Sequence, residues 1–149
     1  MANNDDRARV EEILTRNRYL ILSTTDGDMP WIAPLEYLLD EDLDFYFFSP
    51  EDSLHAQHIE QVDRVAVAVF DEEQPEYSCD LSVSLNGVQI EGTARKLTED
   101  QYNETIVSAI DALKPPMPPY AVFKIETHRF HVPKIENGRN VREEVDMTG

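Results

Sequence analysis

The sequence predicts a mainly β protein with peripheral helices (α+β), built as a six-stranded antiparallel barrel. Two observations support this fold class: about six β-rich apolar runs alternate with turns, and only three segments have helical spacing. Turn signals such as Asp26-Gly27-Asp28 join neighbouring runs directly, whereas parallel strands need a long crossover. At 149 residues the chain fits one domain, 1–149, around a single core.

The first two elements are a helix and a strand. Val10, Ile13 and Leu14 recur at helical spacing behind acidic residues, so we expect an amphipathic leading helix at about 5–17. This helix should pack on the side of the barrel. Residues 19–25 form an apolar β-rich run that ends at the Asp-Gly-Asp turn signal, which predicts the first arm of a hairpin.

The second arm of this hairpin contains prolines. Residues 31–39 are strand-like, but they follow Pro30 and include Pro34. Proline has no N–H group to donate to a ladder of hydrogen bonds. Pro34 therefore places the run at an edge, at a bulge or beside a ligand.

The later elements also follow from local patterns. Thr98 with Gln101 three residues later is a capping box, which predicts the longest helix at 99–113. Gly87 and Gly92 indicate bulge or bend points in a long β-rich segment. The predicted elements from residue 40 onwards are, in order, a turn at 40–42, a strand at 43–48, a helix at 52–61, a buried strand at 64–70, a polar loop at 71–80, a β-rich segment at 81–97, the helix at 99–113, a stiff proline linker at 115–119, closing strands at 120–125 and 129–132, and a polar, frayed tail at about 135–149.

The balance of charges excludes several classes of partner. The chain has 13 basic and 30 acidic residues, which give a formal net charge of -17. Nucleic acids and anionic membranes bind through Lys and Arg, so we expect neither as a partner. A content of 41% apolar residues argues against disorder. The acidic surface indicates a halophilic protein, because concentrated salt screens self-repulsion.

Cysteine content and targeting signals favour a cytoplasmic localisation. The single cysteine, Cys79, cannot form an internal disulfide and fits a reducing compartment. The N-terminal residues do not have the pattern of a signal peptide, and no apolar run reaches the length that crosses a membrane. We therefore expect a cytoplasmic protein.

The stretch FFSPEDSLHAQHIEQVDRVAVAVF contains a polar turn in front of a short helix. A helix start presents unpaired N–H groups and a positive dipole end, so a turn with Ser49, Asp52 and Ser53 could hold a phosphate. The carboxylates of Glu51 and Asp52 oppose this interpretation because they repel anions. The alternative is an ordinary N-cap by Asp52 or Ser53, with Leu54 packed inward.

This stretch and the segment GVQIEG at 87–92 resemble the pyridoxamine 5′-phosphate oxidase-like FMN-binding split-barrel family. The likeness covers about 19–97, with 120–132 as the final strands. It implies a split barrel, a homodimer that shares FMN between two chains, and hydride or electron transfer through the flavin to a small-molecule substrate. The deazaflavin F420 is the alternative cofactor, because related split barrels use it.

The resemblance also implies which residues contact the cofactor. In the family, the flavin phosphate lies at the start of the short helix, held by a Thr/Ser turn, a serine and an Arg-Lys pair. The second strand runs beside the isoalloxazine ring. By position, the cofactor-binding residues are Trp31, Ile32, Ala33, Pro34 and Leu35 on the strand and Ser49, Ser53, Leu54 and His55 at the helix start. No side chain is identified as catalytic.

The chain departs from the family at the expected Arg-Lys pair, where it has Leu54 and His55. Each lost charge-assisted hydrogen bond is worth about 1.5–3 kcal/mol, or roughly one to two decades in affinity. His55 supplies a charge only when protonated, so flavin binding should strengthen as the pH falls through about 6.5. Two rival hypotheses follow: a non-enzymatic ligand-binding split barrel with weak or lost flavin binding, and a haem-binding relative that uses one histidine.

The four histidines form two His-x-x-His pairs. His55 and His58 should share one face of a helix, whereas His128 and His131 should point to opposite faces of a strand. Two ligands do not make a zinc site, so we predict no metal. The sequence also contains no Ser-His-Asp order and no Gly-rich nucleotide loop.

Overall fold

A computed structural model describes residues 4–76, 84–113 and 120–148 of the chain. Its elements are helix α1 (Asn4–Arg16), strands β1 (Tyr19–Thr25), β2 (Pro30–Glu36), β3 (Leu38–Leu39) and β4 (Phe45–Pro50), helix α2 (Leu54–Gln61), strands β5 (Arg64–Phe70) and β6 (Gly87–Lys96), a 3-10 turn (Glu99–Gln101), helix α3 (Glu104–Ala112), and strands β7 (Tyr120–Glu136) and β8 (Arg139–Val145). None of the helices in these residues has the length and apolar character needed to cross a membrane.

The described strands form one eight-stranded antiparallel sheet in the order β2-β1-β5-β6-β7-β4-β3, with β8 paired to β7. Strands β2 and β3 lie at opposite ends of this order, yet only Tyr37 separates them in the chain. One continuous segment of chain therefore forms both edges of the sheet. Between the two edge strands, the Tyr37 N–H donates to Arg18 O at 2.9 Å. The predicted antiparallel barrel with peripheral helices is confirmed, with eight strands instead of six.

The core lies between the inner face of the sheet and α1. Val10, Ile13 and Leu14 of α1 are fully buried, as their spacing predicts. Within the barrel the rings of Phe47 and Phe123 stack with centroids 5.0 Å apart. Strand β4 is paired with β7 as far as Pro50↔Tyr120, so its end, which leads to α2, is held in the sheet.

Strand β5 is buried on one face only, whereas its apolar run predicts a buried strand. Val65, Val67 and Val69 face the core, whereas Ala66 and Phe70 face outward and are exposed. The alternation follows from the pleat, which sends successive side chains to opposite faces. The outer face of the central sheet is therefore partly apolar.

Strands β6 and β7 change register at a bulge. Glu91 is paired with Arg129, but its neighbour Gly92 is paired with Thr127, so His128 is the extra residue in β7. A Cβ atom on Gly92 would lie 2.8 Å from Glu126 O, so only glycine allows this close approach of the two backbones. The predicted bend point at Gly92 is confirmed.

The predicted helix at 99–113 is not continuous, and α1 is longer than α3. The capping box is present, since Gln101 Oε1 accepts from Thr98 N at 3.0 Å, but it opens only a 3-10 turn. Asn103 then starts α3 anew, with its Oδ1 accepting from Ile106 N at 2.9 Å. A second N-cap thus interrupts the helix.

The two predicted closing strands are one strand, β7, and the tail forms a strand rather than fraying. Strand β8 pairs with β7 from Phe130↔Val145 to Glu136↔Arg139, and Lys134 Nζ lies 2.7 Å from Glu143 Oε2. Pairing with β7 therefore forms a strand in a segment whose polar composition predicted a frayed tail. Cys79, the start of the predicted β-rich segment and the proline linker lie outside the described residues.

Candidate functional site at the start of helix α2

The site begins where β4 turns into α2. Ser53 is the N-cap of α2, with extended backbone and a side-chain oxygen that accepts from Ala56 N at 3.3 Å. The helix therefore starts at Leu54, two residues later than predicted, and Ser53 rather than Asp52 caps it. The N-cap alternative is correct in this respect. The same alternative placed Leu54 inward, and this part is wrong because Leu54 is 43% exposed.

Ser49, Ser53 and His55 form a closed hydrogen-bond network, which we call the α2 latch. Ser49 Oγ lies 2.6 Å from His55 Nε2 and 3.1 Å from Ser53 Oγ, and Ser53 Oγ lies 3.2 Å from the same imidazole nitrogen. Ser53 also donates its hydroxyl to Pro50 O at 2.8 Å. Three of the four side chains that the resemblance places at the phosphate therefore bind one another.

Burial keeps the α2 latch uncharged. Ser49 is 2% exposed because it lies on the inner face of β4 together with Phe47. The His55 ring packs with its centroid 6.0 Å from that of Phe47. Burial, followed by the repulsion of His58, lowers the pKa of His55 below its ordinary 6.5. The neutral form of the imidazole is therefore favoured at pH 7.

The charged groups around the turn are mostly acidic. Lys96 Nζ binds Glu51 Oε1 at 2.8 Å, so the cation that reaches the turn from β6 is already paired. Asp52 is exposed beside it. Leu54 adds no charge at the position where the family has a cation. The turn therefore carries more negative than positive charge.

These residues do not fit the phosphate of a flavin at neutral pH. A phosphate dianion is held by cations and free N–H or O–H donors, whereas this turn has hydroxyls bonded to one another, a neutral imidazole and two carboxylates. Within the described part of the chain, every buried side-chain nitrogen or oxygen has a hydrogen-bond partner. The buried polar side chains at the turn therefore already have hydrogen-bond partners.

Strand β2 is an edge strand, as Pro34 predicts, and pairs only with β1 among the described strands. Its five predicted cofactor-binding residues do not behave alike. Trp31 and Ile32 are 46% and 64% exposed, and Pro34 is also exposed, so these three are available to a ligand. Ala33 is buried and Leu35 packs against the core, so their side chains are not.

The fold brings β2 and α2 together. His58 Nδ1 lies 3.0 Å from Thr24 Oγ1, and Thr24 is the β1 partner of Trp31 in the hairpin register. Helix α2 also packs against β2 itself. The strand and the helix to which the resemblance assigns one cofactor therefore lie side by side, even though the donors at the helix start do not suit a phosphate.

His128 and His131 lie on the same outward face, which corrects the expected alternation. His128 Nε2 is 2.7 Å from Thr93 Oγ1, and His131 Nε2 is 2.9 Å from Glu91 Oε2. Glu91 and Thr93 are two residues apart in β6 and share its outer face. The bulge at His128 shifts the alternation by one residue, so both imidazoles face outward.

A groove of about 700 Å³, which the sequence did not predict, lies on this outer face. It runs between β1, β5, β6 and β7, reaches Pro30 at the start of β2, and contains Arg64, Arg129 and His128. Gly92 predicted a bulge or bend in β6, but not that β7 holds the extra residue, so these residues could not be grouped from the sequence. A larger groove, of about 1240 Å³, lies elsewhere and is lined by the acidic residues Glu11, Asp40, Glu41 and Asp42.

Comparisons with solved structures find the same fold at low sequence identity. A crystal structure of a putative pyridoxamine 5′-phosphate oxidase from Listeria innocua is 19% identical, with 85% of this chain and 96% of that chain covered and a TM-score of 0.66. An FAD-binding protein from Mesorhizobium loti is 20% identical, with coverages of 80% and 88% and a TM-score of 0.57. The haem storage protein HutZ from Vibrio cholerae is 12% identical, with coverages of 89% and 95% and a TM-score of 0.64.

The comparison with protein families identifies the chain more directly. No match was found among curated protein sequences. The family model described as pyridoxamine 5′-phosphate oxidase matches residues 7–132, from α1 into the second half of β7. This range contains the barrel, the edge strand β2 and the α2 latch. The chain therefore belongs to the pyridoxamine 5′-phosphate oxidase family.

Proposed function

We propose that this protein binds the ring system of a flavin along the outer side of β2 and acts as a flavin-dependent oxidoreductase. The observation that carries the proposal is the edge strand itself, which exposes Trp31 and Ile32 and packs against helix α2. An exposed aromatic ring offers a surface for stacking, and the open edge offers backbone groups to the polar rim of a flat ligand. When bound, the flavin would supply hydride or electron transfer to a small-molecule substrate.

The working form of this proposal is a homodimer. Three large exposed apolar side chains, Met29, Trp31 and Ile32, lie within four positions at the β1–β2 hairpin. Exposed apolar surface of this kind marks an interface, and a second copy of the chain would bury it together with the ligand. The charge of -17 on each chain opposes association unless salt screens it. We further propose a cytoplasm rich in salt as the setting.

Light scattering across a salt series tests the dimer. We expect the mass of a dimer near 1 M salt, where the Debye length is about 3 Å, and dissociation as the salt is diluted. A protein that stays monomeric at every salt concentration would contradict the shared site. Ile32→Asp should give that monomeric behaviour, because it places a charge in the apolar patch.

A second candidate is a non-enzymatic ligand-binding protein with weak or lost flavin binding. The absence of a free cation at the turn of α2, among the residues described, favours it. Haem is a further candidate ligand, because the exposed His128 lines the groove and HutZ is described as a haem storage protein. F420 remains an alternative to FMN within the same fold.

The visible absorption spectrum of the purified protein, followed by flavin titration, separates these functions. Flavin bands, or quenching of added flavin fluorescence on binding, support the proposed function, and a Soret band supports haem. Trp31→Ala should weaken flavin binding by about two- to tenfold, since stacking on an aromatic ring contributes about 0.5–1.5 kcal/mol. Tyr19→Ala is the matched control, because Tyr19 is an exposed aromatic residue at the other end of the same hairpin. Equal affinities of wild type and Trp31→Ala would contradict the ring site.

A further inference from the structure

We infer that the start of α2 selects against a terminal phosphate, so that the preferred ligand is a flavin without a phosphate monoester, such as riboflavin, rather than FMN. This inference rests on the proposed function, since it concerns the same site. It goes against the cofactor that the resemblance implies. The observations behind it are the α2 latch, the acidic turn and the exposed Leu54.

The α2 latch occupies the side-chain donors that a phosphate would need. Ser49 Oγ and Ser53 Oγ are within 3.2 Å of the same nitrogen, His55 Nε2, and the Ser53 hydroxyl hydrogen is directed to Pro50 O. A phosphate could bind these groups only after the buried network had opened. The opening would leave Ser49, on the inner face of β4, without its imidazole partner. Binding of a phosphate to these side chains would therefore cost the hydrogen bonds that join Ser49 and Ser53 to His55.

The charges at the turn act in the same direction. Glu51 and Asp52 lie in the three residues between β4 and α2, and Lys96 is the ion-pair partner of Glu51. A phosphate dianion brought to this turn would meet two carboxylates and a cation that one of them already neutralises. The ribityl chain of riboflavin ends in a neutral hydroxyl instead. A hydroxyl suffers no such repulsion, so it is the better tail for this turn.

Leu54 offers a direct way to reverse the selectivity. It stands where the family has a cation, and its side chain is 43% exposed at the first position of α2, so a longer charged side chain fits without repacking. Leu54→Arg should tighten FMN binding by about tenfold, through one charge-assisted bond, and leave riboflavin binding unchanged. Leu113→Arg is the matched control, because Leu113 is 46% exposed at the end of α3 and the change in net charge is the same.

The experiment titrates riboflavin and FMN separately, by quenching of their fluorescence, at neutral pH and one salt concentration. Wild type should bind riboflavin about threefold or more tightly than FMN, a ratio typical of repulsion between exposed charges. Leu54→Arg should reverse this preference and Leu113→Arg should leave it unchanged. Ser49→Ala should lower the Tm without raising the affinity for FMN.

The possible failures are distinguishable. If wild type binds FMN tenfold more tightly than riboflavin, flavin binding stands but the inferred selectivity is overturned. If Ser49→Ala weakens FMN binding while riboflavin binding is unchanged, Ser49 contacts the phosphate and the α2 latch is not closed. If neither flavin binds, the proposed function fails, and the inference fails with it.

Discussion

His55 and His58 on α2 face inward, whereas His128 and His131 on β7 face outward, although both pairs have the same spacing in the sequence. On α2 each imidazole is held by hydroxyl groups of a strand, His58 by Thr24 of β1 and His55 by Ser49 of β4. On β7 the imidazoles contact Glu91 and Thr93 of the neighbouring strand. The first pair joins a helix to the sheet, whereas the second lies on the outer face of the sheet, where His128 is exposed and His131 is buried beside Glu91.

The difference shows what spacing predicts and what it does not. On a regular helix, residues three apart share a face, and α2 follows this rule. In a strand the same spacing gives opposite faces, but the bulge at His128 shifts the alternation and makes the second pair share a face too. A single extra residue thus changes which side chains can act together.

The largest expected effect is the removal of an inward histidine. His58 is 4% exposed, so His58→Ala should reduce the free energy of unfolding by about 2–4 kcal/mol, through a cavity and an unpaired Thr24 hydroxyl. His128→Ala, at an exposed position, should change it by less than about 0.5 kcal/mol. Urea denaturation measures both values. Similar losses in the two variants would mean that the pairs do not differ in structural role.

A second prediction concerns the bulge. Gly92→Ala should cost about 1–3 kcal/mol, because the new Cβ would lie 2.8 Å from Glu126 O and push β6 away from β7. The control is Gly87→Ala, where the nearest atom is Phe70 Cβ at 3.2 Å, so a smaller loss is expected. The free energies of unfolding of the two variants decide the matter. If Gly92→Ala were no more costly than the control, β6 and β7 would not approach this closely.

The smallest expected effects appear as two pH windows. The pKa of His55 is lowered by burial, so the unfolded state binds more protons and stability should fall as the pH drops below 6.5. The pKa of Glu91 is lowered by its bond to His131, so its stabilising contribution is present above 4.5 and is lost as the pH falls through the lowered pKa. His55→Gln should abolish the upper window and Glu91→Gln the lower one, in urea midpoints measured from neutral to acid pH. Either variant affecting the opposite window would contradict the assignment.

The elements that were predicted correctly depend on local patterns. The spacing of Val10, Ile13 and Leu14 predicts α1, and Pro34 predicts an edge strand, because each pattern restricts the structure near its own residues. The packing of α2 beside β2 was anticipated only through the family resemblance. These predictions were sufficient to locate the candidate site.

The features that were missed depend on contacts between distant segments. Strand β8 is polar and exists because β7 pairs with it, and Asn103 interrupts the predicted long helix by capping α3. The α2 latch also depends on distant contacts. Ser49 is buried because it lies on the inner face of β4, not because of the residues of its own turn. Sequence spacing places hydroxyls near a helix start, but it does not show whether they are free.

The central claim is that the α2 latch is closed and uncharged. An NMR titration of the His55 imidazole, with and without inorganic phosphate and with Ser49→Ala as a reference, tests it most directly. We expect the His55 pKa to lie below 6.5, to be unaffected by phosphate, and to change in Ser49→Ala. A His55 pKa above 6.5 that rises further when phosphate is added would show an anion site at the start of α2 and contradict the account.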